Sequence, residues 1–503
     1  MNKAKDRYLP FLLAIAAFML QLFTPNVLGF HRDELLYFSM ADHPAFGYYS
    51  VPPFTGLVAF ISVKLFGYSL FAAKIFPAMA GGLLIMLIAM MARELRGGVF
   101  AQVLAVISFV STLLFIRAFS LFQPVPFDIV FWALIMFLFL RFINNMDPAI
   151  LYVLGLATGL AFLNKYNILF LVVSLAIAIV LTKHRRILVC RYLWIAVLIA
   201  LIVALPNILW QYFNDFPVIG HMKELRSTQL IKMGPWTFLS EQILMVMPAT
   251  LIIIPAFVWM FASERMKQYR VLTWACFIVL LLFLILHGKT YYSAGIYPFL
   301  TAAGGVFTEK YLKNNYLRGL IVILMLAHAY LMFPLGKPVL EASRLVAYFD
   351  QVKTFLGTDA LRRDENNQYH PLPQDYSDML GWDELAALTA TAWNGCDPKT
   401  TVIYCENYGQ AGAIAVLGKK YHLPSPVSFS ESFIYWAPHS FQHEITTLIY
   451  INDEPGDDIK DLFSSIKTIG SISQPLSREK GTTVFLCTQP NQSFNNFYHL
   501  QLY

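Results

Sequence analysis

The sequence predicts a polytopic α-helical membrane protein, about eleven transmembrane helices followed by a small C-terminal soluble α/β domain. Three observations carry that expectation. Hydrophobic residues make up 57% of the 503-residue chain and charged residues 14%, against about 25% charged in an ordinary soluble domain. Apolar runs of about twenty residues, the length that crosses a bilayer core as a helix, recur along the first two thirds. Near residue 336 the chain turns polar, and its apolar runs shorten to strand length. A net charge of +6 would elsewhere suggest a polyanion partner. Here Lys and Arg cluster in short loops between apolar runs, which is a topology signal, and nucleic acid is not an expected partner.

Taken in order, the apolar runs place spans at 8–29, 69–92, 99–119, 127–143, 149–164, 166–182, 192–212, 237–261, 271–287, 292–308 and 317–335. The run after the basic residues 1–7 is long enough to stay as an anchor rather than act as a cleaved signal peptide. The segment 53–66, FTGLVAFISVKLFG, is too short and interrupted for a crossing and reads as an interfacial or partly embedded helix in the first external loop. With the N-terminus inside, the basic loops RELRGG, RFINNMD, KHRRILVCR, SERMKQYR and EKYLKNNYLR all fall on the inner side, as the positive-inside rule requires. The mixed-charge, aromatic-rich connections then fall outside, and with eleven crossings so does the tail. Residues 1–335 are thus expected to form a transmembrane domain and 336–503 an exported soluble domain. In the tail, TTVIYCENY, TTLIYIND and TTVFLCTQ read as strands and YGQAGAIAVLGKKY as a short helix between them. Of five cysteines, Cys396, Cys405 and Cys487 lie in the tail, where an exported domain allows one disulfide of undetermined pairing. None of the five has metal-ligand spacing.

Candidate functional residues come from the external connections. Asp33 and Glu34 stand in GFHRDELLYFSM, residues 29–40, directly after the first span. A loop at a membrane surface is ordinarily charged, and Arg32 can neutralise one carboxylate. This connection is nonetheless long, and it runs into HPAFGYYSVPPF, where tyrosines with Pro52 and Pro53 shape a rigid re-entry. A carboxylate held at such a boundary can act as a general base, and an Asp-Glu pair can divide that work. Asp128, in QPVPFD, sits at the external mouth of a helix, where a charge favourable to the helix dipole is the simpler reading than a functional one, and a mutual pairing with the buried Arg117 would account for both charges. Lys165, in AFLNKYNILFL, is either a snorkelling interfacial lysine or a cation for a lipid phosphate. HGKTYYSAGIYPF offers Lys289 and Tyr292 as an aromatic belt or as phosphate and sugar contacts. GHMKELRS adds Arg226, on a face that reads more simply as solvated.

These stretches, with GLAFLNKYN, PNILWQYFNDFP, HGKTYYSAGIYPFLTAAGG and YCENYGQAGAIAVLG, resemble bacterial members of glycosyltransferase family 39. Those are GT-C membrane transferases related to protein O-mannosyltransferases and to lipid A aminoarabinose transferase. The resemblance covers most of the membrane part and some of the tail. It implies inverting transfer of a sugar from a polyprenyl-phosphate donor to an acceptor (glycan, lipid A or protein hydroxyl) on the non-cytoplasmic face of a bacterial inner membrane. It also implies Asp33 as the general base or as the group that orients the acceptor nucleophile, with Glu34 beside it, Tyr37 near the donor phosphate, Asp128 as a second acid, and Lys165 and Lys289 as basic positions suited to phosphate; Arg226 and Tyr292 join them as candidate donor contacts on their own chemistry. Where the aminoarabinose branch has a lysine before its proline, this chain has Val51, so other cations would bind phosphate. No cofactor is required by the sequence; a carboxylate pair could hold a divalent metal, but no motif demands one.

Two readings from other classes stand beside this. A transporter or flippase of a lipid-linked sugar would also carry intramembrane charge, but it should spread that charge across the midplane on paired repeats, and no repeat is visible. A scaffold whose exported domain binds envelope polymer would leave the membrane carboxylates dispensable.

Overall fold

A computed structural model describes residues 3–228, 230–363 and 368–502. The chain forms two compact units. One comprises residues 1–25, 51–55 and 74–337; the other combines 26–50, 56–73 and 338–503.

The first unit is helical. Helices occupy every apolar run read from the sequence, including Lys3–Phe23, Leu70–Glu94, Pro124–Asn145, Ala149–Asn164, Ile168–Leu181, Arg191–Phe213 and Asn315–Gly336. Five helices among the described residues are long and apolar enough to cross a membrane, or seven if each of two bent pairs is one span. Two expected spans are broken. The run 99–119 divides into Val99–Val110 and Leu113–Ala118, because Thr112 leaves the helix and caps the next one, its Oγ1 accepting from Phe115 N at 3.1 Å. The run 237–261 divides into Pro235–Met245 and Thr250–Ala262, bent by 110°.

Helices in an apolar solvent associate through close backbone packing rather than through water release, which favours small residues at the contact. Gly155 and Gly159, four apart on Ala149–Asn164, meet the Arg191–Phe213 helix this way. A Cβ at Gly155 would lie 2.3 Å from Ala196 O, and one at Gly159 2.7 Å from Val203 Cβ.

The second unit carries a four-stranded sheet of β1 (Thr401–Cys405), β2 (Thr447–Asn452), β3 (Phe463–Ser471) and β4 (Thr483–Pro490), in the order β1-β2-β4-β3. β1 and β2 run parallel; β4 is antiparallel to both of its neighbours. Three of these strands are those read from the sequence. They are legible because β1, β2 and most of β4 are buried on both faces and so read as continuous apolar runs. Leu448, Tyr450, Phe485 and Cys487 join Phe494 and Tyr498 of the Phe494–Leu502 helix in one core. All five cysteines are free thiols, with Cys405 and Cys487 buried.

Within this unit, residues 26–50 and 56–73 are tied to the 338–503 segment at several points. Asp42 forms a 2.7 Å ion pair with Lys419 and accepts from Tyr68 OH at 2.6 Å. His43 stacks on Trp436 with centroids 4.4 Å apart, and Ser50 Oγ donates to Glu431 at 2.9 Å. The 53–66 segment is a helix, Phe54–Phe66.

The packing at Gly155 predicts that Gly155→Ala costs about 1–3 kcal/mol through overpacking. The thermal midpoint of the detergent-solubilised protein should fall. Gly319→Ala, whose added Cβ meets nothing within 4 Å, should leave it unchanged or slightly raised; equal behaviour of the two variants would contradict the packing account.

Candidate functional site

In the first unit, four elements bring polar side chains together. The helix Pro124–Asn145 begins after an extended Gln123, with Pro124 in its first turn, where a missing N–H costs nothing. One turn on, Asp128 is 4% exposed. A buried carboxylate needs donors, and two neutral ones serve it. Trp132 Nε1, four residues along the same helix, donates to Oδ1 at 3.0 Å. Asn167 Nδ2 donates to Oδ2 at 3.0 Å and to Tyr292 O at 2.9 Å, tying the 165–167 turn to the Thr290–Ile296 segment.

Lys165 closes the Ala149–Asn164 helix in extended conformation (φ −159°, ψ 129°). Its Nζ lies 4.9 Å from the ring centroids of both Tyr291 and Tyr292, cation–π distances. Asp128 and Lys289 are the charged groups that act on it, with opposite sign. Around this group the polar shell continues. Asn164 Nδ2 donates to Pro124 O at 3.0 Å, and Gln242 donates to Thr290 O and accepts from Ser293 and Tyr297. The structure thus assembles Asp128, Lys165 and the Lys289–Tyr292 segment from three connections, with the Lys165 ammonium over the paired rings of Tyr291 and Tyr292. That combination can hold a phosphate through positive charge while keeping a carboxylate in fixed orientation. Arg226 is exposed on the Pro217–Thr228 helix and makes no hydrogen bond or ion pair with this cluster among the described residues.

Asp33, Glu34 and Tyr37 belong to the second unit, on the helix Arg32–Ser39. Here the charged tetrad has a local explanation. His31 is the N-cap, its Nδ1 accepting from Asp33 N at 3.1 Å, which leaves the ring proton on Nε2. Glu34 reaches back to accept from His31 N at 2.9 Å, completing a capping box with its carboxylate 1% exposed. Arg32 N donates to Asp378 O at 3.0 Å, and its guanidinium lies 4.3 Å from the Tyr408 ring centroid. Asp33 Oδ1 accepts from Tyr408 OH at 3.0 Å. Tyr37 is half-buried one turn along. Burial pushes the Asp378 carboxyl above its usual range, opposed by Arg478, His31 and Arg32.

Sequence reasoning did not pick out Trp132, Asn167, Asp378 or Tyr408. Trp132 carries a usable signal, its i+4 spacing from Asp128 on one helix face. Asn167 is one of several amides in the NKYN turn, and nothing local separates it from a turn former. Tyr408 and Asp378 are far from Asp33 in sequence and have no local signal.

Residues 50–210 match the family model described as dolichyl-phosphate-mannose-protein mannosyltransferase. A curated relative, the lipid A galacturonosyltransferase RgtD of Rhizobium johnstonii, is 30% identical over 203 residues. That match takes in 39% of this chain and 41% of the relative, less than half of either. Among solved structures, ArnT from Cupriavidus metallidurans bound to undecaprenyl phosphate superposes with a TM-score of 0.66 at 15% identity, covering 96% of this chain and 98% of that one. The apo form of the same protein gives 0.62 at 14% identity, over 95% and 97%. The chain therefore has the fold of ArnT, and its resemblance to the GT-C membrane glycosyltransferases is borne out by family model, relative and fold together.

Proposed function

We propose that this protein is an inverting glycosyltransferase that moves a sugar from a polyprenyl-phosphate donor to an acceptor on the non-cytoplasmic face of a bacterial inner membrane. The observation that carries the proposal is the buried Asp128 held by Trp132 and Asn167, beside Lys165 on its two tyrosine rings and within the field of Lys289. A transferase with this fold binds undecaprenyl phosphate, and two lysines suit the phosphate of such a carrier. The eleven-span arrangement, with residues 336–503 outside, is part of the same proposal.

In this reading an acceptor hydroxyl attacks the anomeric carbon of the donor. The bond from that carbon to the phosphate oxygen breaks, configuration inverts, and the polyprenyl phosphate leaves with the bonding pair. Asp33 takes the hydroxyl proton, and Glu34 supports it through the helix start that it caps. Asp128 orients polar groups around it and offsets developing positive charge at the sugar. Lys165 and Lys289 neutralise the departing phosphate, with Tyr292 and Tyr37 as donor contacts and Arg226 as an outer cation. Acceptor classes are a glycan, lipid A or a protein hydroxyl. The curated relative's name puts lipid A and a galacturonosyl donor first on the panel.

Purified protein in detergent, supplied with a panel of polyprenyl-phosphate sugars and membrane extract, should release the lipid phosphate from at least one donor, read by mass spectrometry. Asp33→Asn should lower kcat by about 10²-fold or more, the usual contribution of a general base; unchanged turnover removes that assignment. Translocation of intact donor without any release would replace the transferase by a carrier.

Lys165→Ala should raise KM for the donor by about tenfold or more, the loss of one charge-assisted contact of about 1.5–3 kcal/mol. A change confined to thermal stability would leave Lys165 as an interfacial anchor.

A further inference from the structure

The turn that carries Lys165 also holds an amide of which only one half is employed. Asn167 stands at the N-cap of the Ile168–Leu181 helix. An asparagine at that place ordinarily turns its side-chain oxygen back onto the N–H groups of the first turn. Asn167 does not. Its backbone is already helical (φ −52°, ψ −27°), and its side chain makes no cap bond. The nitrogen is fully engaged instead, donating to Asp128 Oδ2 at 3.0 Å and to Tyr292 O at 2.9 Å. The Tyr292 carbonyl can only accept, which fixes the nitrogen on that side and the amide oxygen on the other.

That oxygen, Oδ1, is buried in a residue 8% exposed and accepts no hydrogen bond among the described residues. An unsatisfied buried acceptor keeps the full penalty of its lost hydration, and so an atom of this kind calls for a partner. Gln211 Oε1 is a second such atom in the first unit, but Asn167 is the one whose side chain is bonded to Asp128.

Chemistry narrows what can satisfy Oδ1, because it needs a proton donor. The phosphodiester of a polyprenyl-phosphate sugar carries no proton at neutral pH, and its chain is hydrocarbon. Ring hydroxyls are the donors that this class of lipid always brings. Lys165 and Lys289 are groups of the opposite kind, ammonium donors suited to phosphate oxygens. Phosphate-binding donors and a hydroxyl-binding acceptor thus share one cluster. Tyr291 is 36% exposed beside half-buried Lys165 and Tyr292, so the cluster has an edge at the surface of the unit.

We propose that Asn167 is a donor contact that reads one ring hydroxyl of the sugar, its Oδ1 accepting the hydroxyl proton while its nitrogen stays on Asp128 and Tyr292. The inference rests on the transferase reading above and deepens it. One planar amide then holds the sugar through its oxygen and Asp128 through its nitrogen, so the residue that orients the carboxylate also selects the substrate. A donor lacking that hydroxyl leaves the oxygen unsatisfied, and a polar site discriminates most strongly against such an analogue.

The test compares the polyprenyl-phosphate sugar that the wild type turns over with its deoxy analogues, each lacking one ring hydroxyl. Full-length protein in detergent is used, and release of the lipid phosphate gives kcat/KM. Wild type should lose about tenfold or more on one analogue. Asn167→Ala should be slower with the parent donor and treat the two within about twofold of each other. The ratio of two donors on one preparation does not depend on the folded fraction. If Asn167→Ala turns over too slowly, the same ratio is read from dissociation constants, by the rise of the thermal midpoint with donor concentration. Tyr166→Phe is the control. It deletes the hydroxyl that donates to Asn207 and accepts from Gln211, loosening the same turn while Asn167 remains, and it should keep the wild-type ratio. A wild-type ratio in Asn167→Ala would overturn the proposal and leave Asn167 as a support for Asp128 alone. Loss of the ratio in Tyr166→Phe would overturn it too, by assigning the discrimination to the turn as a whole. So would a wild type that treats every deoxy analogue like the parent. Failure of the wild type with every parent donor would instead remove the transferase reading on which this one rests.

Discussion

A polar or charged group buried in an apolar helical unit must find its partner within the protein, and much of the first unit follows from that requirement. Asp128 is the clearest case. Its two oxygens take hydrogen bonds from an indole and an amide, both neutral, and these fix the orientation of the group. A bidentate arginine would have satisfied the same oxygens but cancelled the charge. The attraction between Asp128 and Lys165 is then an additional, longer-range interaction, and Lys289 acts against it from the same neighbourhood. Two lysines of like charge near one another are unfavourable by themselves. Tyrosine ring faces lessen that penalty at Lys165, and a phosphate dianion would remove it.

The second unit solves a different problem. The first four N–H groups of a helix have no intrahelical partner whatever its length, so an eight-residue helix such as Arg32–Ser39 is marginal without caps. His31 and Glu34 serve that need, so half of the tetrad that marks the first loop is devoted to starting the helix. Asp33 is placed by the other three. His31 receives its backbone N–H, Glu34 fixes the turn, and Arg32 holds the tyrosine that in turn bonds the carboxylate.

The helical runs of the first unit and three of the four strands were legible because each rests on a local pattern, twenty apolar residues or four to five in a row. Departures occur where local and tertiary signals part. Ser111 and Thr112 sit in an apolar run, yet the Thr112 hydroxyl competes for the backbone and ends the helix. β3 was not read because FSSIKTIGS is an edge strand with many exposed positions, and it carries too little apolar signal without its β4 neighbour. For the site, the residue types that bear chemistry were visible: Asp128, Lys165, Lys289 and Tyr292 converge from three connections. The residues that hold them were not, since Asn167 and Trp132 differ from ordinary turn and helix residues only through the partner each meets.

The composition of the second unit has a consequence for how the tail is understood. Residues 26–50 and 56–73 come from the first loop, yet their packing partners lie more than 300 residues later: Asp378, Tyr408, Lys419, Glu431 and Trp436. A tail that only capped the chain could vary freely in sequence as long as it folded. This one cannot, because the glycines at 409 and 412 must face Arg32 and Leu35, and a single methyl group at Gly412 already meets the backbone of the loop helix. The loop helix is similarly constrained, since its N-terminal carboxylate is oriented by a hydroxyl from the tail. Loop and tail therefore form one folding unit around Asp33. A change in the tail that shifts the Tyr408–Leu417 helix is therefore felt in the first loop through the Tyr408–Asp33 hydrogen bond and the close approach of Gly412 to Leu35, without any alteration of the loop itself.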